Sequence, residues 1–179
     1  MALGHLVALG HPVTDFAIDT KHLRKALGNF ATGVTVVTTR GASGKPAGLT
    51  VNSFSSLSLS PPLVMWGLSL SAASFASFET CAHFAVNVLA EDQMQLADRF
   101  AQSGGDKFSG VAMRESIAGT PVLEGAVASF ACRVTARHSG GDHIILVGEI
   151  LAYEQNDRAP LLYARGRYCR LAEDNSPAS

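Results

Sequence analysis

Two long β-rich runs, Val127–His138 and His143–Tyr153, lie on either side of Ser139-Gly140-Gly141-Asp142. A short break of this composition is a hairpin signal, because glycine reaches the left-handed backbone that tight turns need. Two such arms bring antiparallel pairing into the fold. The other runs are shorter and agree with it. Val34–Thr39 is β-branched throughout and reads as a strand. Arg40–Pro46 (RGASGKP) is a turn by composition, and Ala47–Asn52 resumes a strand. Leu63–Leu68, His83–Leu89 and Leu161–Leu171 read as further strands. In Ser53–Pro62, Ser alternates with Phe or Leu, and Pro61-Pro62 is expected to end any ladder there.

Helical spacing appears in three places. Leu23, Leu27 and Phe30 fall on one face of a helix expected over 20–31, capped by Asp19 or Thr20 and stopped by Gly33. Ser71–Thr80 reads as a short helix. Glu91–Gln102 reads as another, with Met94, Ala97 and Ala101 on one face. About seven strands with short turns and three helices predict a mainly β fold, an antiparallel barrel with peripheral helices, over a doubly wound sheet. The tripeptide Gly-Gly-Asp occurs at 104–106 and 140–142, and both copies read as turns.

Composition narrows the function classes. Charged residues are 16% of the chain, against roughly 25% in an average soluble protein. Hydrophobic residues are 47% and the net charge is −1. That balance excludes a disordered tail and argues against a nucleic-acid groove or a polybasic membrane patch. So little charge leaves apolar surface for a second subunit or an aromatic ligand to cover. Cys81, Cys132 and Cys169 are odd in number and widely spaced, which fits buried reduced thiols and no disulfide framework. Met1–Asp15 has no Lys or Arg, and His5 and Pro12 interrupt its apolar stretch, so it does not read as a secretory signal. No uncharged apolar run is long enough to span a bilayer. The expected organisation is an extension at 1–18, one domain at 19–172 and a polar tail at 173–179. The expected compartment is the cytoplasm.

Several standard sites fail on spacing. There is no G-x-G-x-x-G, no G-x-S-x-G, and Gly41–Pro46 lacks the first glycine and the Ser or Thr of a phosphate loop. His138 and His143 flank the hairpin turn, but no neighbouring Cys or Glu completes a metal set. What remains is a concentration of short hydroxyl side chains over Gly48–Ser60 and at Ser69, Ser71, Ser74 and Ser77. Such residues serve as turn and cap formers. They also bind an anion, or the hydrogen-bonding edge of a flat heteroaromatic ring.

At these residues the chain resembles the short-chain flavin reductases, the reductase components of two-component flavin-dependent monooxygenases. The resemblance covers about Leu23–Leu171. Its motifs are Asn29-Phe30-Ala31-Thr32-Gly33-Val34 through Thr39, Gly48–Ser60 with Pro61-Pro62-Leu63-Val64, and His83–Leu89. Gly105-Asp106-Lys107-Phe108, Gly141-Asp142-His143 and Pro160-Leu161-Leu162-Tyr163 complete the set. Each alone is weak; six in this order and spacing are specific.

The resemblance implies an FMN-binding split barrel that forms a homodimer. It implies hydride transfer from NADH or NADPH to FMN or FAD, with reduced flavin passed to a separate monooxygenase. By that analogy Thr50, Val51, Asn52 and Ser53 line the isoalloxazine edge. Ser55, Ser56, Ser69, Ser71 and Ser74 hold the ribityl chain and phosphate. Lys107 offsets phosphate charge and Phe108 covers part of the ring. His143 is the residue assigned to the catalytic step. Its role is positioning, since hydride transfer needs two rings at reacting distance and no strong acid or base. Alternatives are a resident-flavin reductase of ferric iron, a corrinoid or a quinone, and a flavin-binding module without turnover. One departure from the family stands out: Leu70 and Ala73 occupy a neighbourhood where relatives often carry Arg or Lys.

Overall fold

A computed structural model describes residues 18–172. The expected tail at 173–179, and all of the expected extension but Ile18, lie outside the described residues. In chain order the elements begin with α1 (Thr20–Leu27), β1 (Thr32–Gly33), β2 (Thr35–Arg40) and β3 (Pro46–Val51). Next come β4 (Ser55–Leu59), β5 (Pro62–Ser69), α2 (Phe75–Glu79), β6 (His83–Val88) and α3 (Met94–Ala101). The second half holds β7 (Met113–Glu115), β8 (Pro121–Leu123), β9 (Ala128–Gly140), β10 (His143–Gln155), β11 (Leu162–Ala164) and β12 (Arg167–Cys169).

Seven strands form one antiparallel sheet in the order β3-β2-β6-β9-β10-β5-β4. Its two outer strands, β3 and β4, are consecutive in the chain and joined only by residues 52–54. Laid flat, seven strands would hold those edges roughly 29 Å apart at the usual strand spacing. Four Cα steps span at most roughly 15 Å. The sheet must therefore curl until its edges nearly meet, giving a barrel split between β3 and β4. β1, β11 and β12 make a small second sheet, and β7 and β8 a hairpin.

The barrel interior is a cluster around Trp66, Phe78 and Phe84, all but fully buried. Trp66 meets Phe78 and Phe84 edge-on at 5.2 and 5.9 Å between ring centres. Each such ring contributes about 1.5–3 kcal/mol by leaving water. Gly148 on β10 makes room for Phe84: a Cβ there would lie 2.5 Å from the ring. A second cluster, with Phe100, Phe108, Leu123 and Leu161, fixes α3 against β3. Buried Asn87 ties the two halves together. Its Nδ2 donates to Val36 O at 2.9 Å and its Oδ1 accepts from Leu123 N–H at 2.8 Å.

The long hairpin stands where the sequence places it, with His143 paired to Gly140 and arms of 13 residues each. Other expectations are corrected. Pro61-Pro62 does not end the ladder: β4 and β5 form a hairpin with Leu59 paired to Pro62, because proline is tolerated as the first residue of a strand. Leu161–Leu171 is not one strand; it turns at Arg165-Gly166, both at positive φ. α1 stops at Leu27, where Asn29 Nδ2 donates to the Lys25 and Ala26 carbonyls, well before Gly33. Leu23, Leu27 and Phe30 are exposed instead of packed. α3 buries Ala97 and Phe100, not Met94 or Ala101. Of the three free thiols, Cys81 and Cys132 are buried and Cys169 is half-buried. β1, β7 and β8 had no counterpart in the sequence reading.

Candidate functional site

Some of the residues singled out in the sequence collect around the split. At its centre is Gly67 on β5. Ser53 Oγ accepts from Gly67 N–H at 3.0 Å and donates to Gly67 O at 3.2 Å. A Cβ at Gly67 would lie 3.5 Å from Ser53 Oγ and 3.8 Å from His143 Cδ2. Glycine therefore leaves a flat floor between a hydroxyl and an imidazole. The β5–β10 register sets His143 directly beside Ser69. Ser69 Oγ pairs with Ser71 Oγ at 2.9 Å, and Leu70 N–H donates to Asp142 O at 3.0 Å. Ser53, Gly67, Ser69, Ser71 and His143 thus form one rim. Among the described residues, the backbone N–H groups of Asn52, Ser53 and Phe54 donate to no protein acceptor. They remain available to a ligand.

His143 is half-buried, and its Nδ1 lies 2.7 Å from Asp142 Oδ1. A carboxylate at Nδ1 fixes that nitrogen as the donor, so in the neutral ring Nε2 is the acceptor. The hydrogen bond from His143, and next its charge, hold the Asp142 carboxyl below the usual range. Asp142 is fully exposed, so this orients the ring without adding much to stability.

Two hollows lie at opposite ends of β3. One, of about 230 Å³, is lined by Val34, Thr50, Val51, Asn52, Ala101, Tyr163 and Tyr168. The two tyrosines meet edge-on at 5.5 Å, and Tyr168 donates to Asp98 at 2.9 Å. Burial first, and then Asp98, push the Tyr168 hydroxyl up to about 12. The sequence reading gave these tyrosines no site role; the signal available was Tyr163 in the Pro160–Tyr163 motif. The other hollow, of about 220 Å³, includes Gly48, Ala73, Ser74, Ser77, Gly105, Lys107 and Phe108. Either hollow alone is smaller than a usual cofactor pocket.

Not every candidate presents a free group. Thr50 Oγ1 donates to Ala97 O at 2.6 Å, and Val51 belongs to the barrel core. Phe108 is buried against Phe100, its ring edge-on at 4.9 Å. Lys107 Nζ donates to Phe100 O at 3.0 Å and Gly48 O at 3.4 Å, and burial lowers its pKa. Ser55 and Ser56 lie exposed on β4 beside Met65 and Val64 of β5, and Ser55 Oγ donates to Ser56 O at 3.1 Å. Ser74 precedes α2 and makes no side-chain cap. Among the described residues, no group of three His, Cys, Asp or Glu gathers as metal ligands. No helix among them is long and apolar enough to cross a membrane.

A flat ring with hydrogen-bonding atoms along one edge suits this arrangement. Gly67 gives the floor, three free amides give donors and His143 gives an aromatic wall, while Tyr163 and Tyr168 line the hollow beside Asn52. A family described as "Flavin reductase like domain" matches residues 27–172. The chain is 42% identical to the FMN reductase (NADH) SmoA of Agrobacterium fabrum, over 86% of this chain and 87% of that protein. It is 39% identical to the reductase subunit HsaB of a flavin-dependent monooxygenase from Rhodococcus jostii, over 89% and 82%. The NADH:FAD oxidoreductase SgcE6 of Streptomyces globisporus, in complex with NAD and FAD fragments, superposes with a TM-score of 0.84. That comparison covers 88% of this chain and 96% of the other at 38% identity. The chain spans half the length of a longer Rhizobium meliloti relative.

Proposed function

Since the chain belongs to the flavin reductase-like domain family, we propose that it transfers a hydride from NADH or NADPH to FMN or FAD and supplies reduced flavin to a separate monooxygenase. The observation that carries this reading is the Gly67 floor between Ser53 and His143. When bound, the flavin supplies the electron-accepting ring. Asn52, Ser53 and Phe54 hold its edge through backbone N–H groups, which also stabilise the negative charge that reduction places there. Ser55, Ser56, Ser69, Ser71 and Ser74 serve the side chain and phosphate, with Lys107 in the same hollow as Ser74. His143, held by Asp142, orients the nicotinamide above the floor. Thr50, Val51 and Phe108 act from behind, by shaping the wall.

Residues 19–172 act as one unit, in the cytoplasm, where the free thiols stay reduced. A homodimer is supported by uncovered apolar residues: Leu23, Leu27 and Phe30 near α1, and Leu57 and Leu59 on β4. Size measurement at micromolar concentration should give twice 18.8 kDa, and a monomer would remove this part of the reading. Leu70 and Ala73 leave few fixed positive charges at the rim, so flavin is expected to dissociate as a substrate. The purified protein should be colourless, whereas a yellow one would favour a resident-flavin reductase of another acceptor.

The deciding assay follows NADH and NADPH oxidation with added FMN, FAD or riboflavin. Turnover is expected; its absence with every pair would leave only a flavin-binding module. Ser53→Ala tests the rim directly. It is expected to raise the flavin Kd roughly two- to tenfold, the usual worth of one hydrogen bond, in a fluorescence titration. An unchanged Kd would show that the Ser53 hydroxyl and its bonds to Gly67 take no part in binding, whatever its backbone N–H does.

A further inference from the structure

A cleft of about 610 Å³ at the end of α1 is lined by Arg24, Lys25, Gly28, Asn29, Arg165 and Gly166. Three of these carry positive charge and none is acidic. Two cations in a last helical turn are expected from the helix dipole alone. The third comes from another part of the fold. Arg165 turns the chain between β11 and β12 at φ 50°, a left-handed conformation that costs a side-chain-bearing residue roughly 1–2 kcal/mol. Its N–H donates to Gly28 O at 2.7 Å and its Nε to Asn29 Oδ1 at 3.0 Å. These bonds fix the guanidinium against the helix end and leave its two terminal nitrogens unpaired among the described residues. The Arg24 and Lys25 side chains likewise have no ion pair there. Like charges brought together without a counter-ion raise the local potential and draw in an anion.

The hairpin that turns at Arg165 and Gly166 also carries Tyr163 and Tyr168, which line the hollow beside Asn52 at the split. Building on the reading of the chain as a nucleotide-using flavin reductase, we infer that this cleft is a phosphate subsite. Arg24, Lys25 and Arg165 receive the phosphate or pyrophosphate of a nucleotide whose ring lies at His143. The fixed guanidinium suits two-pronged binding of phosphate oxygens.

The test is the full chain carrying Arg24→Ala, Lys25→Ala and Arg165→Gly. Alanine keeps an exposed helix intact and glycine keeps the left-handed turn, so the fold is retained. The KM for NADH and NADPH is expected to rise at least tenfold with kcat held and the riboflavin KM unchanged. Calorimetric binding of pyrophosphate should be lost. A rise in the KM for FMN and FAD, again without one for riboflavin, would equally support the subsite and assign its phosphate to the flavin. Unchanged KM values with unchanged pyrophosphate binding would overturn it. If wild-type protein oxidised no nicotinamide nucleotide with any flavin, the enzyme reading would fail, and pyrophosphate binding alone would decide the cleft.

Discussion

Replacing His143 by alanine is expected to lower kcat/KM for NADH about 10- to 100-fold, the range a misplaced reactant costs, while the flavin Kd stays within twofold. The reason is geometric. His143 stands beside Gly67, and its Nδ1 is held by Asp142, so the ring has one preferred orientation. Removing it leaves the floor and its amide donors intact but takes away the wall that orients the second ring. Asp142→Asn keeps an acceptor near Nδ1 without the charge and should give a smaller loss. Steady-state kinetics with varied NADH, beside a flavin titration, separate these effects. Equal losses for both nucleotides, or unchanged kinetics, would count against the positioning role.

Gly148→Val should be the most damaging single change to the barrel. Even a Cβ at Gly148 would lie 2.5 and 2.7 Å from two Phe84 ring atoms and 3.1 Å from Cys132 Cβ. Phe84 is fully buried against Trp66 and has nowhere to retreat. Overpacking of this kind costs about 1–3 kcal/mol, and valine lies at the upper end. For a domain of this size that is a Tm lower by roughly 6–12 °C. Thermal unfolding with Gly33→Ala as control checks it, since a Cβ at Gly33 meets nothing within 4 Å. Adding Phe84→Leu should restore part of the loss. A Gly148→Val protein as stable as the parent would mean that the core relaxes more freely than its packing implies.

Much of the barrel was legible because its signals are local. Gly140-Gly141 between long apolar arms, the β-branched Val34–Thr39 run and the turn at Arg40–Pro46 each act over a few residues. The readings that failed depended on distant partners. Arg165 takes a glycine-like turn because Gly28 and Asn29 bind its N–H and guanidinium, and no neighbour in sequence announces that. β7 and β8 are three residues each; β8 is held by Thr38 and Asn87 of other strands, and β7 pairs with β8. The spacing of Leu23, Leu27 and Phe30 predicts one helix face over 20–31; the helix ends at Leu27 and these side chains are uncovered. In the candidate site, the hydroxyl-rich stretch includes the 52–54 link that joins the two sheet edges. It did not distinguish Ser53, bonded across the split to Gly67, from Thr50, whose hydroxyl is already committed to α3. Residue type shows which groups are able to bind; only packing shows which are free.

Residues 52–54 bridge the split as a covalent strap between the two sheet edges. The width of the opening is therefore limited by bond lengths as well as by packing, and breathing of the sheet cannot widen it far. That limit also makes any insertion into this three-residue link a direct change to the reach between the two sheet edges. One added glycine there would let the two lips drift apart while every strand and core residue stayed as it was.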